Sequence, residues 1–270
     1  MIKAFINSLT PPVIKKLMTT IQVGMQKKPQ PEWITLHDEY FRGLQIYIDP
    51  ISNLGMDYLH NHDDFIYLHL KKNNFKNPVF YDIGAHFGLH TMAFSKIAGN
   101  DGKVYAFEPH PLNRERLKKN ISKNIEACNN ITVIETAITD HKGTVSFEMI
   151  TDLESGWSSS SGILADDHKK IETDVKKHIR VDADTIDNLI SNQIIAKPDF
   201  IKIDVEGEEF KVIKGAQQTI LKFSPVLFIE IHTIECMYQI QKSLAEWGYK
   251  IELIHKEPDG RCFIKAETLN

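Results

Sequence analysis

From residue 78 onward, short apolar runs alternate with segments whose apolar residues recur at helical spacing. Val79–Tyr81 is predicted as a short buried strand, followed by a helical face of Leu89, Met92, Ala93 and Ile97 that stops at Gly99. Val104–Phe107 is a second strand. Its helix follows Pro111, with Leu112, Leu117 and Ile121 expected inward and Arg114, Arg116, Lys118 and Lys119 outward. Ile131–Ile134 is a third strand, and Gly143–Met149 an added one. Residues 151–175 are polar and lack any period, with "SGWSSSSG" near their start, and are expected to form a functional or disordered loop. "DFIKIDVEG" (199–207) and "PVLFIEIH" (225–232) are buried strands, separated by a helix carrying Phe210, Val212, Ile213 and Ala216. A last helix reaching Trp247 precedes Ile251–Ile254, a turn at Pro258-Asp259-Gly260, and Cys262–Lys265, a terminal antiparallel hairpin. Alternating strands and helices of this kind build an α/β fold, a Rossmann-like doubly wound and mostly parallel sheet with helices on both faces.

The chain before residue 78 has a different pattern. Residues 32–50 alternate with period two on either side of Arg42-Gly43, which predicts a β-hairpin, and residues 51–75 are a mainly helical, polar lead-in. Ile14, Leu17, Ile21 and Met25 recur at helical spacing behind Pro11-Pro12, among Lys3, Lys15, Lys16, Lys27 and Lys28, with no acid before Glu32. A basic amphipathic helix packed on the main domain is the favoured reading, with weak peripheral contact of residues 1–30 with anionic lipid as the alternative. The expected organisation is an extension over 1–75 and a main domain over 76–270.

Bulk properties narrow the classes. The chain has 270 residues, 42% hydrophobic and 25% charged, as in a soluble globular protein, and a net charge of -4 gives no drive toward nucleic acid. Cys128, Cys236 and Cys262 lie far apart without C-x-x-C spacing, which argues against a zinc site or disulfide framework and suits a reducing compartment. With no secretory cleavage pattern and no apolar run near the roughly 20 residues of a membrane span, a cytoplasmic protein is expected. Nothing in the sequence sets an oligomeric state.

The candidate chemistry begins at "VFYDIGAHFGLHTMAF" (79–94), where a strand ends in Asp82 and the chain passes Gly84 and Gly88. Ligands of doubly wound sheets sit outside the carboxyl ends of the strands, and glycines there allow tight bends and close approach of ligand to backbone. By this reasoning a side chain at residue 84 blocks the ligand and leaves the sheet intact. The turn is neither the phosphate-binding G-x-x-x-x-G-K-[ST] nor the dinucleotide-binding G-x-G-x-x-G. Glu108 ends the next strand, where a carboxylate can accept both hydroxyls of a ribose, and Asp82 suits an ammonium or the orientation of the glycine loop. A ligand with a ribose and an α-amino acid but no phosphate satisfies this set, and S-adenosyl-L-methionine is such a ligand. The rival readings are an NAD-dependent oxidoreductase, disfavoured by the missing middle glycine, and a non-catalytic nucleoside-binding module.

"DIGAHFGLHT", "VYAFEPHPLNRERLKKN", "ITVIETAITD", "FIKIDVEGEEFKVIKGA" and "LFIEIH" together resemble the FkbM-type methyltransferases from about residue 30 to the C-terminus. The resemblance implies a class I methyltransferase fold and O-methylation of a hydroxyl on a sugar, glycan or natural-product acceptor. It also implies that Asp82, Gly84 and Gly88 line the methionine end of the cofactor, that Ala85 and His86 belong to the same cofactor-binding turn, and that Glu108 holds the ribose. Pro109 would pack beside the adenine, and Thr136 and Ala137 would flank its ring. The family pattern usually has Asn where His86 stands.

Methyl transfer to a hydroxyl leaves the protein to position the acceptor and manage one proton. Lys202, Asp204 and Glu206 are expected on one strand face, and Glu230 and His232 on another. His232 or Asp204 is the candidate base, with Glu206 and Glu230 orienting and Lys202 paired to a neighbouring acid. A divalent cation on Asp204, Glu206 and Glu230 is the less favoured alternative, since no octahedral oxygen set is visible, so no metal is assigned. The acceptor, a small molecule or saccharide, would enter beneath the loop around Trp157 and Ser158–Ser161.

Overall fold

A computed structural model describes residues 31–48, 63–73, 75–152, 157–159, 176–257 and 260–268. The proposed basic helix of residues 1–30, most of the lead-in before residue 63, most of the polar segment 151–175 and the Pro258-Asp259 turn lie outside the described residues.

The main sheet has seven strands in the order β12-β13-β11-β10-β3-β4-β5. Its parallel strands are β3 (Val79–Ile83), β4 (Lys103–Phe107), β5 (Ile131–Ile134), β10 (Phe200–Ile203) and β11 (Val226–Ile231). β12 (Tyr249–Lys256) and β13 (Cys262–Thr268) form the expected hairpin, with β13 inserted antiparallel against β11. The chain winds outward from β3 to β5 and returns at β10, so the strand order reverses between β3 and β10, where a ligand crevice belongs.

Alternation along each strand divides the core. Tyr81, Ile201 and Ile229 face one apolar cluster, built with α4 (Ile186–Ser191), α5 (Glu209–Gly215), α6 (Gln217–Phe223) and α7 (Ile234–Glu246). Phe80, Phe200 and Phe228 face the other, built with α1 (Asp64–Lys72) and α2 (Leu89–Ala98). The hairpin β1 (Glu32–Thr35) and β2 (Gln45–Ile48) buries Ile46 and Ile48 in this second cluster.

Two expectations need correction. In α3 (Pro111–Lys123) Leu112 is exposed, whereas Asn113 and Asn120 are buried. The buried amides have partners: Asn120 Oδ1 accepts the Tyr47 N–H, and Asn124, just after the helix, accepts from and donates to the Gln45 backbone. Polar side chains therefore dock the hairpin on α3, which apolar periodicity cannot reveal. The second correction is an inserted sheet, β6-β9-β7-β8. Its long pair, β7 (Gly143–Asp152) and β9 (Lys176–Asp184), is antiparallel. Ala137 belongs to β6 (Ala137–Ile138), paired with Ala183 and Asp184 of β9, rather than to the end of the third strand. Trp157–Ser159, expected in a structureless loop, forms β8 against the end of β7. No described helix is long and apolar enough to cross a membrane.

Candidate active site

The first station lies at the ends of β3 and β4. Glu108 is buried, and both of its oxygens are engaged: Oε2 accepts the His86 N–H and Oε1 the His110 N–H, each at 2.8 Å. Burial raises its carboxyl to about 7 against those two amides. The carboxylate thus links the glycine turn to the start of α3, whose N-terminus His110 caps through Nδ1. Burial pushes the His110 imidazole down to about 4, the form in which Nδ1 can accept. Pro109 beside it is half-buried, as is Thr136, while Ala137 is buried.

His86 has φ 51, in the left-handed region that Asn and His enter more readily than most residues. That is one physical reason for Asn and His to share the position. Gly84 has φ +85, and a Cβ there would meet the Asp204 carbonyl oxygen at 1.8 Å. The close approach that demands a glycine is therefore to the chain's own backbone, where β3 meets β10. Ala85 and Gly88 complete the turn, with Gly88 as the N-cap of α2.

Asp82 is fully buried, accepts from the Thr91 hydroxyl of α2, and has an oxygen 3.7 Å from the Lys202 ammonium. The Lys202 Nζ also lies 3.1 Å from Asp204. Burial works to lower this lysine, but the charges of Asp204 and Asp82 hold it well above its ordinary value. A buried ammonium needs such partners, so the expected ion pair is present with two acids.

The second station lies at the ends of β10 and β11. Lys202 pairs in register with Phe228, so the side chain of Glu230, two residues on, lies on the same sheet face. The two separate faces expected from the sequence are therefore one cluster. His232 Nε2 is 3.5 Å from Glu206, 3.9 Å from Asp204 and 3.9 Å from Glu230. Its Nδ1 is 2.7 Å from Glu209, which is fully buried and which the sequence reading missed. Glu206 has φ 57, and Gly207 follows in a turn whose N–H bonds Glu209 Oε1 at 2.7 Å. A non-glycine residue in that region costs roughly 1–2 kcal/mol, a strain that recurs at functional sites.

Charge distribution explains the titration of this cluster. Burial would lower His232, but Glu209, Asp204 and Glu230 raise it to about 9. Burial, then the Asp204 charge, pushes Glu230 up to about 8. The Arg261 guanidinium 2.6 Å away does not reverse this, being 41% exposed and screened by water. Burial also works to raise Asp204, but Lys202 and His232 leave it below the ordinary carboxylate range.

Asp204, Glu230 and His232 offer ligand atoms that all lie within 4.8 Å of one another. This differs from the oxygen-only set considered from the sequence, with His232 in place of Glu206. Lys202 and Arg261 bring positive charge to Asp204 and Glu230.

The methyltransferase FkbM domain family matches residues 82–251. The hexuronic acid methyltransferase AglP of Haloferax volcanii is 27% identical over 178 residues, 66% of this chain and 66% of that protein. Methyltransferase sdnD of Sordaria araneosa is 24% identical over 164 residues, 53% of this chain and 61% of that protein. The crystal structure of methyltransferase FkbM from Methylobacillus flagellatus KT aligns at a TM-score of 0.52 and 18% identity, over 86% of this chain and 56% of that one. At that identity the likeness shows the fold alone. The matched regions span roughly half to two-thirds of these proteins' own lengths.

Proposed function

The chain belongs to the FkbM methyltransferase family, and we propose that it transfers the methyl group of S-adenosylmethionine to a hydroxyl of a sugar, glycan or natural-product acceptor. The observation that carries this reading is the pair of polar stations on one rim of the sheet. Glu108 stands at the end of β4 and the His232 cluster at the ends of β10 and β11. From β4 to β11 is three strand spacings, about 14 Å, with the β3–β10 reversal between. That span suits an elongated nucleoside amino acid with an acceptor beyond it.

In this reading Glu108 accepts the ribose hydroxyls with the lone pairs its two amides leave free. Pro109, Thr136 and Ala137 would flank the adenine. Gly84, Ala85, His86 and Gly88 would form the turn beneath the methionine end, with Asp82, just before it, held by Thr91 and Lys202. The bound sulfonium supplies an electrophilic methyl and its own leaving group. His232 Nε2 takes the acceptor's hydroxyl proton as the oxygen–methyl bond forms, with Asp204, Glu206 and Glu230 orienting acceptor and imidazole. The catalytic domain in this proposal is residues 76–270, with 1–75 as its extension.

Support for a saccharide acceptor comes from the relative named as a hexuronic acid methyltransferase. The test supplies methyl-tritiated S-adenosylmethionine with p-nitrophenyl glucuronide and p-nitrophenyl glucoside. Label is expected in an acceptor hydroxyl, and the rate is expected to persist in excess EDTA. Loss of transfer on chelation with recovery in Mg²⁺ would assign Asp204, Glu230 and His232 to a cation instead. Absence of label in either sugar would count against the saccharide class.

A further inference from the structure

We propose that Glu209 is a positioning residue for His232, holding the imidazole through Nδ1 so that Nε2 is presented to the acid cluster. The inference rests on His232 serving as the base.

Glu209 is fully buried at the start of α5, and its Oε1 lies 2.7 Å from two groups, the Gly207 N–H and His232 Nδ1. A carboxylate only accepts, so Nδ1 must be the nitrogen that carries the proton. In the neutral ring the lone pair is then on Nε2, and Nε2 is the atom facing Asp204, Glu206 and Glu230. Without Glu209 either nitrogen could hold the proton and the ring could rotate.

The other groups around His232 cannot replace this contact. Asp204 and Glu230 approach Nε2, not Nδ1, and each is already engaged, Asp204 with Lys202 and Glu230 with Arg261. Glu206 also approaches Nε2, from the left-handed turn. From α7, the Cys236 thiol contacts the Gly207 carbonyl at 3.1 Å, and the Thr233 hydroxyl caps the helix at Cys236. Glu209 is thus the carboxylate on the Nδ1 side, and it ties the ring to the turn that bears Glu206. The division of labour is that of a base oriented by a buried acid. During transfer the acceptor's proton goes to Nε2, and the imidazolium charge is balanced by Glu209.

Glu209→Gln keeps the shape and a carbonyl acceptor while removing the charge. In a histidine-resolved NMR titration, His232 is expected to titrate at least about one pH unit lower in Glu209→Gln, the usual effect of losing an adjacent opposite charge. S-adenosylhomocysteine affinity should be unchanged. An unmoved His232 midpoint in the folded variant overturns the proposal. The wild-type protein gives a second reading that needs no variant. Its ring ¹⁵N shifts at high pH should show the proton on Nδ1, and a proton on Nε2 overturns the proposal equally. Failure of the underlying reading looks different. If His232→Ala leaves turnover intact while the Glu209→Gln shift is observed, Glu209 positions His232 but His232 is not the base.

Discussion

His232→Ala is expected to slow methyl transfer by roughly 10²–10⁴-fold, the usual contribution of a positioned acid–base group. S-adenosylhomocysteine affinity should barely change, because the residue sits at the β10–β11 end of the rim, away from Glu108. An isolated imidazole would place the acid limb of the rate near 6.5. The site moves it, because Glu209, Asp204 and Glu230 stabilise the imidazolium and raise His232 to about 9. A base works only when deprotonated, so turnover should climb as pH rises toward about 9 and level off above it. Asp204→Asn is the companion variant. It removes one of the charges that raise His232 and leaves Lys202 with Asp82 as its remaining acid partner. Its limb should therefore lie at lower pH than that of the wild type. Near-normal turnover in His232→Ala with an inactive Asp204→Asn would move the proton to Asp204. Activity in both would mean that positioning alone suffices.

Gly84→Val is expected to fail as a fold before it fails as a binder. Its Cβ would lie 1.8 Å from the Asp204 carbonyl oxygen, at a backbone φ of +85 that β-branched residues avoid. The collision is with backbone at the junction of the two central strands, where little can give. A loss of about 4 kcal/mol, at the severe end for single substitutions, corresponds to a fall in Tm of roughly 8–16 °C. Calorimetric unfolding checks this. A variant with wild-type Tm that simply fails to bind S-adenosylhomocysteine would show that the glycine serves the ligand alone, as the sequence suggests.

The contrast at Gly84 illustrates how far the sequence could be followed. Apolar runs located β3, β4, β10 and β11, which are buried along most of their length, whereas the terminal hairpin was legible from its turn residues, its β12 being largely exposed. Apolar periodicity misassigned Leu112 and overlooked Asn120 and Asn124, since amides that fill backbone hydrogen bonds leave no apolar trace. β9 was overlooked as well, its "KKHIRVDAD" reading as charged rather than as a strand. At the site, Asp82, Glu108, Lys202, Asp204, Glu230 and His232 were visible as polar residues at strand ends. The convergence of Lys202, Asp204, Glu230 and His232 was not, because it depends on the register of β10 against β11. Glu209 was hidden among the consecutive acids of "EGEEF". Only the left-handed turn at Glu206-Gly207 determines which of them points inward.

The most direct test of a cofactor seated between Glu108 and the β3–β10 reversal is a calorimetric titration with S-adenosylhomocysteine, run against NAD and repeated on Glu108→Ala. The wild-type protein should bind S-adenosylhomocysteine at one saturable site and show no heat with NAD. Loss of the charge-assisted bonds to the ribose, about 1.5–3 kcal/mol, should raise Kd roughly 10- to 150-fold in Glu108→Ala. Binding of NAD instead, or an unchanged S-adenosylhomocysteine isotherm in a folded Glu108→Ala protein, would contradict it.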